Sequence, residues 1–247
     1  MQVEKDYSDI EELQEGYEDN KRIEKQTRLN FMRKVYGIVS LQLSLTTIFV
    51  ILSQYKPIKN EMLKVYTQNY NSMDTIYILS SLLSLISMIV LVCCFPKQFP
   101  INYILLFSFT FFESICISFI TIQYNLLSII LALGITSACA IGLTFYALTT
   151  KKDFTIYGGV LCAALFMFIF GGIIAYFIGL NSDNIILSII GGIIFSVYLV
   201  FDTQLISGNF GKKYSIDDYM IAAINIYLDL INLFIFILKI VGKKDKK

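Results

Sequence analysis

Seven long apolar runs, separated by short polar segments, make up most of the chain. They lie at about Val35–Ser53, Thr75–Phe95, Asn102–Gln123, Leu126–Leu148, Ile156–Leu180, Ile185–Ser207 and Tyr219–Val241. A helix needs about 20 mainly apolar residues to cross the hydrocarbon core of a bilayer. In lipid only helices and closed barrels satisfy their own backbone polar groups, and barrel strands run to only about ten residues. The pattern therefore predicts an all-α fold, a polytopic membrane helix bundle of seven hydrophobic helices, the last of them spanning or re-entrant.

The polar segments divide the chain. Residues 1–30 carry too little apolar surface to fold and read as an acidic cytosolic tail, disordered or loosely helical. Residues 31–242 are the transmembrane domain and residues 243–247 a lysine-rich tail. Lys56, Pro57, Lys59, Glu61, Lys64 and Asp74 fill the first polar connection. The segment 96–100 makes a tight turn, since each of its prolines disfavours helix at the preceding residue. Asn181-Ser182-Asp183 joins the fifth and sixth runs. Ser215, with Asp218 three residues on, has the pattern of an N-cap for the last helix.

Composition agrees with the pattern. The chain is 56% hydrophobic and 16% charged, where a soluble domain carries about a quarter charged residues. Nine of the 19 acids fall in the first 24 residues, which leaves long uncharged stretches afterwards. Lys and Arg collect at the cytosolic ends of spans. Lys21, Arg22, Lys25, Arg28, Arg33 and Lys34 precede the first run, so the amino terminus is expected in the cytosol. Lys97, Lys151, Lys152, Lys212 and Lys213 then share that side. If the last run crosses, Lys239, Lys243, Lys244, Lys246 and Lys247 lie outside; a re-entrant helix returns them.

What is missing narrows the chemistry. No histidine is present, which removes Ser-His-Asp and Cys-His catalysis and the His-based zinc and haem sites. No enzyme activity and no cofactor are expected. The five cysteines, Cys93, Cys94, Cys116, Cys139 and Cys162, fall in or beside apolar runs and read as small packing residues. The doublets Gly158-Gly159, Gly171-Gly172 and Gly191-Gly192 read as close helix packing, because small residues let backbones approach in lipid.

Three acids stand inside the runs: Glu113, Asp202 and Asp229. A carboxylate at the bilayer centre costs roughly 2.5–3.5 kcal/mol on insertion scales, so such a group faces the bundle interior and marks a functional site. Asp202 and Asp229 lie on neighbouring helices that should pack antiparallel. In simple register Asp229 sits deeper by roughly ten ångström. The two acids meet only if the start of the last helix projects beyond its neighbour. Meeting in low dielectric, they cannot both ionise cheaply, and they share a proton as a latch. Released, they repel each other or bind a cation. With Thr203, Gln204, Asn225, Asn232 and water they offer Ca²⁺ a weak, transient site of the kind that suits permeation. Glu113 is an accessory candidate.

Three segments also resemble the TMBIM, or Bax inhibitor-1, family, most closely its lifeguard branch. They are Ala147–Thr155, Tyr198–Gly208, which holds Asp-Thr-Gln-Leu, and Ser215–Phe234, which holds Ile-Tyr-Leu-Asp. Weaker likeness lies at Arg33–Tyr36, Gln42-Leu43 and Phe99–Asn102. The resemblance implies a Ca²⁺ leak across ER or Golgi membranes, damping of cell death, and a di-aspartyl sensor at Asp202 and Asp229. The partners expected from it are the lipid bilayer, Ca²⁺ and cell-death regulatory proteins, with no nucleic acid. Two other readings compete. One is a non-conducting scaffold for death regulators, which needs no working acid pair. The other is an intramembrane aspartyl protease, whose Tyr-Asp, Gly-x-Gly-Asp and Pro-Ala-Leu motifs the chain lacks.

Overall fold

Each apolar run is a helix. The computed structural model describes the backbone of residues 2–68, 70–178, 184–211 and 213–244, and their side chains apart from 2–15, 64–68, 70–74 and 176. Asn181, Ser182, Asp183, Lys212, Lys246 and Lys247 lie outside the described residues, as do the end of the fifth run at Leu180 and the side chains of Lys64 and Asp74. The helices are α1 (Gln2–Gln54), α2 (Lys56–Gln68), α3 (Tyr70–Cys93), α4 (Ile101–Thr121), α5 (Leu126–Thr149), α6 (Gly158–Phe177), α7 (Ile185–Ser207) and α8 (Tyr219–Val241). Short 3₁₀ turns, Thr155–Tyr157 and Ile216–Asp218, lead into α6 and α8. Seven of the eight, all but α2, are long and apolar enough to cross a membrane.

Two elements exceed the apolar pattern. The helix of the first span begins at Gln2, so the acidic segment read as disordered or loosely helical continues α1. Its residues are mostly strong helix formers such as Glu, Lys, Gln and Arg. The first polar connection contains α2. The expected N-cap at Ser215 is corrected: Ser215 opens the 3₁₀ turn with no side-chain capping bond, and Asp218 N–H donates to its carbonyl at 3.0 Å.

The last helix is the axis of the bundle. It is the most buried of the seven and packs against α7, α5, α1 and α4, while α3 packs on α4. Met220, Ala222, Ala223, Ile226, Tyr227 and Leu238 are fully enclosed. α6 is the least buried, and it packs on α7. The direction of α8 follows from its two ends. At its start Lys97, in the α3–α4 turn, pairs with Asp218 at 3.2 Å. At its end Tyr124 bridges to Lys244, and Asn125 N–H donates to the Lys243 carbonyl at 3.1 Å, both in the α4–α5 connection. α4 joins those two connections, so α8 runs alongside it through the whole thickness of the bundle and does not turn back.

Small residues pack more selectively than their doublets imply. A Cβ at Gly191 would meet the Phe236 ring at 2.6 Å, and one at Gly158 the Phe201 ring at 3.2 Å. Gly159, Gly171 and Gly172 have open space around that position. The cysteines are likewise divided: Cys116 is buried, but Cys93, Cys94, Cys139 and Cys162 are on the outside of the bundle and do not pack its interior. An apolar thiol lowers its free energy as well against lipid as against protein, which is why position in a run did not sort them.

Gly191 is thus where α7 and α8 approach through a rigid ring. Gly191→Leu is expected to destabilise the protein by about 1–3 kcal/mol through overpacking, measured as a lowered melting temperature in detergent, while Gly172→Leu leaves it near the wild-type value.

Candidate functional site

The turn between the last two helices sets the register of the acids. α7 ends at Gly208, whose φ of 67° is left-handed and whose N–H donates to the Gln204 carbonyl at 3.0 Å. Glycine takes this conformation without steric cost and stops the helix there. The chain folds back, with Tyr214 N–H donating to the Leu205 carbonyl at 3.2 Å, and enters α8 through the 3₁₀ turn. Asp202 lies five residues before the end of α7 and Asp229 ten after the start of α8. The difference of five residues, at about 1.5 Å each, means α8 overshoots α7 by about 8 Å. That overshoot is the condition for the acids to meet. Its apolar surface is covered by α1, where Phe31, Val35 and Val39 pack on Ala222, Ala223 and Ile226.

The two carboxyls do meet. Asp202 and Asp229 are each 4% exposed, and the two carboxyls lie close enough to act on one another directly. A carboxylate only accepts, so the two can hydrogen-bond only while one of them holds a proton. Tyr214 Oη donates to Asp202 Oδ1 at 3.0 Å, and Asn225 Nδ2 donates to Tyr214 Oη at 2.6 Å. Burial, then the adjacent Asp202 charge, pushes the Tyr214 hydroxyl well above its ordinary pKa, so it remains a donor at any physiological pH. Asp229 Oδ2 has no hydrogen-bond partner among the described residues.

A family model described as "Inhibitor of apoptosis-promoting Bax1" matches residues 28–246. The chain belongs to the Bax inhibitor-1, or TMBIM, family. It is similar to protein lifeguard 4 of Mus musculus, 31% identical over 220 residues that cover 89% of this chain and 87% of the relative. The Golgi anti-apoptotic protein of Vaccinia virus (strain Lister) is also 31% identical over 220 residues, 89% of this chain and 88% of the viral protein. Protein lifeguard 3 of Homo sapiens is 30% identical over 228 residues, 90% of this chain and 71% of the relative. The protein is accordingly an integral membrane protein of this family, and the lipid bilayer is its setting.

The other expected site residues of this Bax inhibitor-1 protein are placed apart. Thr203 stands 3.4 Å from the Tyr36 hydroxyl, between α7 and α1. Gln204 is fully buried and its amide is engaged by the α5–α6 connection. Its Oε1 accepts from Phe154 N–H at 2.8 Å, and its Nε2 donates to the Lys152 carbonyl at 2.9 Å and the Ala147 carbonyl at 3.4 Å. Asn232 donates to the Leu228 carbonyl of its own helix at 2.8 Å. Glu113 accepts from Ser84 at 2.7 Å, between α3 and α4. The structure therefore joins Asp202, Asp229 and Asn225, and adds Tyr214. No sequence signal marked Tyr214, an aromatic residue in a short polar connection. A second polar cluster was also silent in the sequence: Thr46, Ser114 and Tyr227 share hydroxyl contacts of 2.9–3.0 Å, and Gln42 donates to Thr110 at 2.9 Å.

Among the described residues no group of three or more acidic, Cys or His side chains is assembled for a metal ion. Ca²⁺ takes six to eight oxygens, so two carboxyls with Tyr214 and Asn225 leave much of its shell to water.

Gln204 is the clamp of the α5–α6 connection. Gln204→Leu strands the Phe154 N–H and the Lys152 carbonyl, at a cost of about 1–3 kcal/mol, and hydrogen exchange at Phe154 is expected to accelerate accordingly.

Proposed function

We propose that this protein is a pH-sensitive Ca²⁺ leak channel of an intracellular membrane, ER or Golgi, gated by Asp202 and Asp229. In this reading it modulates Ca²⁺ stores and acts against cell death in the manner its relatives' names describe. The observation that carries the reading is the close approach of two enclosed carboxyls on adjacent antiparallel helices. Burying acids this deep is costly, and a purely structural contact between α7 and α8 needs none. The viral relative is named as a Golgi anti-apoptotic protein, which supports both the organelle and the cell-death role. The amino-terminal face, where α1 is longest and Lys97, Lys151 and Lys152 lie, is the cytosolic one.

The gating follows from the proton inventory. With one proton between them, the carboxyls tie α7 to α8. When it leaves, two carboxylates in a low dielectric repel each other and attract a divalent cation. The groups facing the pair are tyrosines: Tyr214 from the connection, Tyr198 from α7 and Tyr36 from α1. Among the described residues no Lys or Arg pairs with either acid. Only the pair's own proton therefore sets its charge. The tie is present at low pH and lost as pH rises, so flux rises with pH.

Ca²⁺ entry into liposomes holding the purified protein is expected to increase between about pH 6 and about pH 8. Asp229→Asn keeps a hydrogen bond without the charge change, and it flattens that pH dependence at low flux, as does Asp202→Asn. Folded wild type that admits no more Ca²⁺ than empty liposomes across this range overturns the leak and favours a non-conducting scaffold for cell-death regulators.

A further inference from the structure

We infer that the amino-terminal part of α1 is a strap that holds the α7–α8 connection, and through it the Tyr214 hydroxyl, against the carboxyl pair. The strap rests on contact geometry; its effect on flux rests on the leak reading above.

Three side chains of α1 on one helical face reach this connection or the helix that follows it. Glu24 Oε1 accepts from Lys213 Nζ at 2.7 Å. Four residues on, Arg28 Nη1 donates to the Tyr214 carbonyl at 3.0 Å. Three further, Phe31 carries the Arg28 guanidinium over its ring at 5.2 Å and packs with the start of α8. Spacings of four and three keep these residues on one side of a helix. The guanidinium also lies against Gly208, where a Cβ would meet Nε at 2.8 Å, so a side chain there would displace it. Lys34, on the next turn, stands 3.2 Å from the centre of the Tyr219 ring.

Tyr214 is the residue that joins strap to site. Its carbonyl takes the Arg28 bond and its hydroxyl gives the Asp202 bond. A backbone shift at one end is felt at the other, which makes Arg28 a positioning residue for the acid pair. The hold is releasable. The Glu24–Lys213 pair is exposed at both ends, so it is weak and screened by salt. An open pocket of about 480 Å³ lies beside these contacts, lined by Glu24, Thr27, Arg28, Lys213, Tyr214 and Ile216 among others, so water reaches them.

The test is hydrogen exchange across residues 208–216 in the full-length protein, beside Ca²⁺ flux in liposomes. Arg28→Ala removes a charge-assisted bond, and exchange at the Tyr214 amide should rise about tenfold or more. Glu24→Lys should loosen the same segment, and Glu24→Lys with Lys213→Glu should restore it. In liposomes Arg28→Ala should lower flux at the acid end of the range, because the Tyr214 donor favours the ionised carboxylate. Unchanged exchange in Arg28→Ala, or a charge exchange that restores nothing, overturns the strap. A segment that loosens and is rescued while the wild type carries no Ca²⁺ establishes the strap and removes the leak.

Discussion

The burial of Asp202 against Asp229 is the constraint on which the rest of the arrangement depends. In a bilayer interior a carboxyl has no water to turn to, so each must find its partner within the protein. Bringing them together forces α8 past the end of α7 by more than a helical turn. That overshoot carries Ala222, Ala223 and Ile226 to the apolar stripe of α1 from Phe31 to Val39, which encloses them. It also fixes the connection between the helices, which must climb back from Gly208 and in doing so lays Tyr214 over the pair. A helix far longer than a membrane span, a left-handed glycine and a tyrosine in a polar loop thus answer one requirement.

Much of this architecture was legible in the residues. The apolar runs end within a few positions of the helices, because length and uncharged composition alone decide what enters lipid. The two aspartates stood out for the same reason: their burial needs an explanation that a leucine's does not. The order of burial was not legible. All seven runs are apolar on most sides, so nothing in the pattern distinguishes α8, the most buried, from α6, which lies open. Packing in lipid is set by shape, and shape at Gly191 against Phe236 depends on two residues 45 positions apart in the chain. Gln204 illustrates the converse. It is adjacent to Asp202 in sequence and polar, and it was grouped with the ion site. On a helix two residues apart point to different sides, and its amide serves a loop.

Membership of the Bax inhibitor-1 family gives this geometry a wider frame. The match begins at Arg28 and ends beyond α8, so it contains both aspartates, Asn225 and Tyr214. Glu24 and the rest of the acidic helix precede it. The matched region of this chain is thus the bundle with its buried pair, and most of the acidic start of α1 lies before it.

The Gln204 clamp has a mechanical corollary. Asp202 and Gln204 belong to one turn of α7, and that turn is bolted to the end of α5 through Ala147 and to the α5–α6 connection through Lys152 and Phe154. In the proposed leak, charge appearing on Asp202 would therefore push on a lever and not on a free helix end. The stroke would be delivered to α5 and α6 together with α7, with the buried α8 as the fulcrum.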